Sequence, residues 1–306
     1  MLVGAGLALL AVYPFVTYAQ LADTQRQEHY LVLLIFILPL LAWAAVGVLL
    51  LLSARDAENR FAYLIKSIEI IIVGGLCGIA VGFFTLIAFA LFGTLGIMPP
   101  MLVQRLFMIG LSGMVPVLVV AILYDPTTAP GAQSFDEGVS KLVALLLRML
   151  LPLTILVLLF YVAFIPFRFW EPFQNRDVLI AYNAMLFAVI FLLVGATPIH
   201  IAELSAGQQR WLRYGLNAVA ALAMLVSAYA FAAITYRTAQ DGFTPNRLSF
   251  IGWNVINGCI LLLLLVRQVR GTGEDWLSPI KRTYSQGSIA YIGWALFLVL
   301  ALPWLF

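Results

Sequence analysis

"IEIIIVGGLCGIAVGFFTLIAFALFGT", residues 68–94, runs from Ile70 to Thr94 without a charged side chain. A helix rises about 1.5 Å per residue, so roughly 20 apolar residues cross the hydrocarbon core of a bilayer. A membrane strand would instead alternate apolar and polar positions over about ten residues. This run does not alternate, and in lipid a helix satisfies every backbone polar group within itself. The stretch therefore reads as a membrane helix.

Working outward, eight further runs of this kind lie at Met1–Tyr18, Tyr30–Leu52, Met101–Tyr124, Lys141–Ile165, Val178–Ile199, Leu212–Tyr236, Leu248–Val266 and Ser288–Phe306. The whole chain is 63% hydrophobic and 10% charged, with a mean hydropathy of +1.03, far from soluble composition. The expected fold is an all-α, polytopic transmembrane helical bundle of about nine membrane-spanning helices. The first run lacks the basic residues that open a signal peptide, so it reads as a membrane helix, or as the remnant of a longer chain. Between the runs, Ser53–Ser67, Asp125–Ser140, Pro166–Asp177 and Arg267–Gly287 are too short to bury a core of their own. A single integral membrane domain over 1–306, with no separate soluble domain, follows.

Alternating the loops places eleven Lys and Arg on the N-terminal side, counting Arg148 with its nearest loop, and six on the other: Arg26, Arg105, Arg168, Arg176, Arg237 and Arg247. The excess favours a cytoplasmic N-terminus. A net charge of +3 is too small to point to nucleic acid. Cys77 and Cys259 fall in different runs, where a thiol is expected to act as a small buried hydrophobe and is poorly placed for a disulfide or zinc.

Within the third run Gly74, Gly78 and Gly82 recur every four residues, a spacing that lets another helix approach closely. Packing inside the chain is the first expectation for this face, and an oligomer contact the second. Lys66 and Glu69, three apart, are expected to pair at the membrane rim, and no acidic side chain is expected deep in a helix. Arg148 lies well inside the fifth run, where a charge is costly unless paired, wet or snorkelling. "GLSG", residues 110–113, with His200 on another run, resembles the nucleophile and base of rhomboid intramembrane proteases, through Ser112. His200 sits past Pro198 at the end of its run, which argues against a dyad. His200 and Glu203 share a helical spacing, but with His29 at the opposite rim a metal site lacks ligands.

"PFRFWEPFQNRD", residues 166–177, gathers Phe167, Phe169, Trp170 and Phe173 among Arg168 and Arg176, the composition of an interfacial belt. "DGFTPNRLSF", residues 241–250, reads as turn chemistry. Gly242 suits a positive φ, Thr244 an N-cap and Pro245 a first helical turn, while Arg237 suits the C-terminal dipole of the preceding helix. Arg247 is left over, because a cation in a first turn opposes the macrodipole. Asp241, a carboxylate on another loop or a lipid phosphate would answer it. Along the following helix Asn254 and Asn257 are expected to hydrogen-bond neighbouring helices, with a polar cavity as the alternative.

The "GFTPNRL" string resembles the "YGLTPNR" signature of the bacterial inner-membrane family catalogued as domain of unknown function 4153. "LLPLTILVLLFYVAFIPFRFWEPF", residues 150–173, is similar to that family's Pro-containing helix and aromatic rim. The resemblance covers roughly residues 141–265, with Asp241 standing where the signature has an aromatic residue. It implies a multi-pass protein of the bacterial cell inner membrane in which Thr244, Pro245, Asn246 and Arg247 form a fixed structural element, and it supplies no reaction.

The leading functional expectation is a non-enzymatic scaffold, accessory or assembly subunit of a membrane complex, with membrane lipids and other membrane-protein subunits or a second copy as partners. A small-solute or lipid transporter is the alternative, and an intramembrane serine protease a more distant third. No catalytic residue, cofactor or metal is expected. Polar, lipid or partner contacts are expected at Arg148, Arg168, Trp170, Arg176, Asp241, Asn246, Arg247, Asn254 and Asn257.

Overall fold

Caps and breakers set the helix limits in the computed structural model, which describes residues 2–21, 23–52, 56–94, 100–135, 137–201, 204–270 and 275–306. After α1 (Leu2–Gln20), the Asp23 side chain accepts from the Gln25 amide and opens α2 (Thr24–Leu50). Next come α3 (Ala57–Thr94), α4 (Met101–Leu123) and α5 (Gly138–Phe164). The aromatic segment that follows makes a 3-10 turn, Ile165–Arg168, and the short α6 (Glu171–Gln174). Asn175 caps α7 (Arg176–Ala196), and a reciprocal Ser205–Gln208 capping box opens α8 (Ala206–Asp241). Gly242, at φ +81°, ends α8, and Pro245 begins α9 (Pro245–Arg270). The chain closes with α10 (Leu277–Leu300) and α11 (Leu302–Leu305).

The chain is 88% helical, and no strand occurs among the described residues. It is an α-helical, multi-pass membrane protein: among the described residues seven helices, α2, α3, α4, α5, α7, α8 and α9, are long and apolar enough to cross a membrane. The first and last expected runs correspond to α1 and α10, which are not among those seven. Two helices start well before the sequence suggested, α3 at Ala57 instead of Ile68 and α10 at Leu277 instead of Ser288. Their polar first turns are bonded within the bundle. Arg60 Nε donates to Ser285 Oγ at 2.7 Å, and Arg267 Nη1 donates to Thr283 Oγ1 at 2.9 Å.

At the centre, α8 packs against α5, α7 and α9. Its Gly215, Ala220, Ala223, Ala230 and Ala233 are buried, and such small side chains let neighbouring helices approach closely. Leu151, Leu186, Leu193, Leu261 and Leu264 fill the space around it. A second cluster joins α2 to α10 through Tyr30, Leu34, Leu298 and Val299.

The first turns of α3 are packed, with Phe61 and Ala62 fully buried. Farther along, Ile71, Leu76, Ile79, Phe83, Phe84 and Leu86 are all exposed. Helix α4 lies against α3. The expectation that Gly74, Gly78 and Gly82 pack inside the chain is not met among the described residues: a Cβ at any of them meets none of their atoms within 4 Å. Cys77 and Cys259 are free and exposed, so they are not buried hydrophobes. Each lies on a face that its own bundle leaves uncovered.

Helix ends collect at two poles. At one, Lys281 pairs with Glu58 at 3.2 Å and Arg213 donates to Gln268 at 3.2 Å. At the other, Tyr13 and Tyr30 hydroxyls donate to the carbonyls of Leu300 and Val299 at 2.6 and 3.3 Å, and α8 turns into α9.

Candidate functional site

The α8–α9 turn forms one wall of a cavity of about 460 Å³. Pro245 starts α9, and Thr244 Oγ1 accepts from the Arg247 amide at 3.3 Å, which is the expected N-cap. The Arg247 side chain folds back over the turn. It donates to Gly242 O at 2.8 Å and pairs with Asp241, one of the three answers the sequence left open, at 2.6 Å.

Arg247 is not the only cation there. Arg176, the first residue of α7, and Arg237, near the end of α8, line the same cavity with Asn246, Gln25 and His29. Arg237 Nη1 is buried without a hydrogen-bond partner. Leu179, Ile180, Ile234 and Phe250 supply the apolar wall. No acidic side chain is among the described lining residues. The fold thus joins three of the expected contacts, Arg176, Asn246 and Arg247, and adds Arg237, Gln25 and His29, which the sequence did not place at a common site.

The aromatic segment packs beside this pole. Phe169 stacks on Phe173 at 5.5 Å, and Trp170 and Phe173 meet Tyr236 of α8 at 6.3 and 5.4 Å. Tyr229 donates its hydroxyl to Phe169 O at 2.6 Å. Arg168 points outward with a loose 3.5 Å contact to Glu171. Trp170 and Arg168 sit on the rim and do not line the cavity.

At the opposite pole, Glu69, Ser140, Lys141, Arg148, Thr197 and Gln208 line a cavity of about 300 Å³. Lys66 and Glu69 pair as expected, at 3.0 Å, but their side chains are only 5% and 3% exposed. The pair is thus buried in protein, because α3 begins at Ala57, ahead of its apolar run, and packs these turns against the loop before α5. Lys66 also donates to Ser134 O at 2.9 Å, and Ser140 donates to Glu69 Oε1. Its ammonium lies 5.1 Å from the Phe135 ring centre. These bonds fasten the loop before α5 onto α3. Arg148 reaches across to donate to Ala196 O at 3.3 Å, at the carbonyl end of α7, where a cation is favoured.

Asn254 and Asn257 are 1% and 0% exposed. Ser227 of α8 donates to Asn254 at 3.3 Å, and Tyr291 of α10 donates to Asn257. They join α9 to its neighbours and line neither cavity. His200 is exposed after α7, while the Ser112 side chain and Glu203 lie outside the described residues. No cluster of three metal-ligating side chains occurs among the described residues. No protein-family model, curated protein or solved structure matches the chain.

Proposed function

We propose that the protein is a non-enzymatic accessory or assembly subunit of a membrane complex, engaging another subunit's transmembrane helix through the outer face of α3. The observation behind this reading is the open glycine face: among the described residues, nothing lies within 4 Å of a side-chain position at Gly74, Gly78 or Gly82. Each glycine destabilises a helix by about 1 kcal/mol relative to alanine. Lipid chains need no such gap, whereas a second helix uses it to bring backbones together. The bacterial inner membrane, with a cytoplasmic N-terminus, is the setting favoured by the family resemblance and the Lys/Arg distribution.

A photo-reactive residue at Ile71, exposed one turn before Gly74, tests this in native membranes. It should give one discrete protein adduct that Gly78→Ile abolishes, while a probe at Phe160 on the exposed side of α5 gives none. Lipid adducts alone at both positions would sink the reading, and an adduct of twice the chain's mass would replace the foreign subunit with a second copy. Small-solute or lipid transport is the second reading, supported by the cavity beside Arg148. Its test is solute or lipid flux in proteoliposomes, reduced by Thr197→Leu, which narrows that cavity.

A further inference from the structure

We infer that the cavity at the α8–α9 turn binds the phosphate of an anionic glycerophospholipid. Three arginines, Arg176, Arg237 and Arg247, line it from three different helices. Like charges gathered on one apolar-walled cavity repel, and the repulsion is stronger there than in water. Only one carboxylate answers them among the ion pairs of the described residues. That is Asp241, itself 57% exposed, on Arg247. Arg237 has a nitrogen buried and without a hydrogen-bond partner, which marks an unanswered donor of an ionised side chain.

Helix direction adds to the imbalance. Arg176 and Arg247 both stand in first turns, of α7 and α9, where each opposes the positive end of a helix dipole. The start of α2 contributes His29 and Gln25 to the same wall. Three amino-terminal helix ends and three arginines make a field that an anion relieves, and oxygen atoms of a phosphate suit the guanidinium fork.

Two further observations select a lipid over a free anion. Part of the wall is apolar, through Ile180, Ile234 and Phe250, which a bare phosphate would leave unused. The aromatic cluster of Trp170 and Phe173 on Tyr236 stands at the same pole, and such belts sit at headgroup level. Basic pockets between membrane helices at that depth are suited to acidic headgroups.

The test uses the full chain in detergent, exchanged into mixed phosphatidylglycerol and phosphatidylcholine, with retained lipid read by native mass spectrometry. Wild-type protein should retain phosphatidylglycerol in preference to phosphatidylcholine. Arg237→Gln should lower that retention about tenfold, the equivalent of one charge-assisted hydrogen bond, and Arg176→Gln should do likewise. Arg105→Gln, on α4 and outside the cavity, should leave it unchanged. Asp241→Asn releases Arg247 from its internal partner and should raise retention. That gain is not expected of a bridge that serves only the turn.

Equal retention of the two lipids by wild-type protein overturns the inference, as does undiminished preference in the Arg176→Gln and Arg237→Gln variants. A fall in Asp241→Asn removes Arg247 from the site. A parallel arm adds millimolar inorganic phosphate. Displacement of the lipid by phosphate at that concentration overturns the lipid assignment in favour of a soluble phosphate anion. Should Arg237→Gln fail to fold, the Asp241→Asn gain and the Arg176→Gln loss decide the matter.

Discussion

Lys66 and Glu69 occupy a position where neither charge is tolerable alone. With side chains 5% and 3% exposed and 3.0 Å apart, removing one leaves the other buried and unpaired, at a cost of about 3–5 kcal/mol. Glu69→Ala should therefore lower the unfolding free energy in detergent by about 3 kcal/mol, and replacing both residues by Met should recover most of it. Equal stability of Glu69→Ala and wild type would show that water reaches the pair. Asp56 presents a titratable counterpart outside the membrane helices. Its carboxylate accepts from the Asn59 amide at 2.7 Å and from Asn59 Nδ2 at 2.8 Å, and these bonds hold its pKa below the usual aspartate value. A depressed carboxylate stabilises the fold above its unfolded pKa, about 3.9, and loses that contribution as pH falls through the lower folded value. Asn59 in turn accepts from the Gly131 amide at 2.8 Å, so the contribution includes the loop before α5. Between about pH 5 and pH 3, thermal stability should fall less steeply in Asp56→Asn than in wild type, and parallel curves would refute this. Single residues differed in how far the sequence exposed their roles. Asp241 was a visible candidate partner for Arg247 because it is six residues away. Positions 29, 176, 237 and 247 share a wall only after four helices converge, which no local pattern records.

Helices are where apolar runs were most informative and where their ends were least so. Each apolar run falls on a helix, and seven of these helices are long and apolar enough among the described residues to cross a membrane, where a helix satisfies its own backbone. The first turns of α3 and α10 are polar, which assigns them to loops by hydropathy, yet their Arg60, Thr283 and Ser285 side chains are answered across helices. Hydropathy measures exposure to water and is blind to such pairing. The same limit applies to glycine spacing, which gives a possible close approach and not the partner. Gly252 of α9 faces Trp294 of α10, and a Cβ there would overlap the indole ring. Gly78 of α3 faces open space. Gly252→Ala should thus destabilise the protein by about 1–3 kcal/mol through overpacking, whereas Gly78→Ala should leave it unchanged or stabilise it by about 0.5–1 kcal/mol. Thermal unfolding of the two variants side by side measures the contrast. A loss in Gly78→Ala equal to that in Gly252→Ala would mean that α3 is covered within the chain.

Across the whole molecule, the two poles differ in charge, and that difference has a consequence for the leaflet that meets the arginine cavity. Arg176, Arg237 and Arg247 belong to the set of six Lys and Arg, and alternating the loops assigns eleven to the other pole. In the orientation proposed above, the pole of eleven faces the cytoplasm. The cavity then opens on the opposite leaflet, away from the cytoplasmic surface where polybasic segments ordinarily meet acidic lipid. Cysteine labelling decides the orientation, because Cys77 and Cys259 are both free and are removable as Ala. Phe243, 66% exposed in the α8–α9 turn, and Ala129, exposed in the loop before α5, mark the two poles. In intact cells a membrane-impermeant maleimide should label Phe243→Cys and spare Ala129→Cys, with both labelled after permeabilisation. The reverse pattern would place the arginine cavity in the cytoplasmic leaflet. The charge count would then be misleading for a physical reason: Arg60, Lys66 and Arg148 are engaged with Ser285, Glu69 and Ala196 inside the bundle, so they contribute less to topology than loop cations.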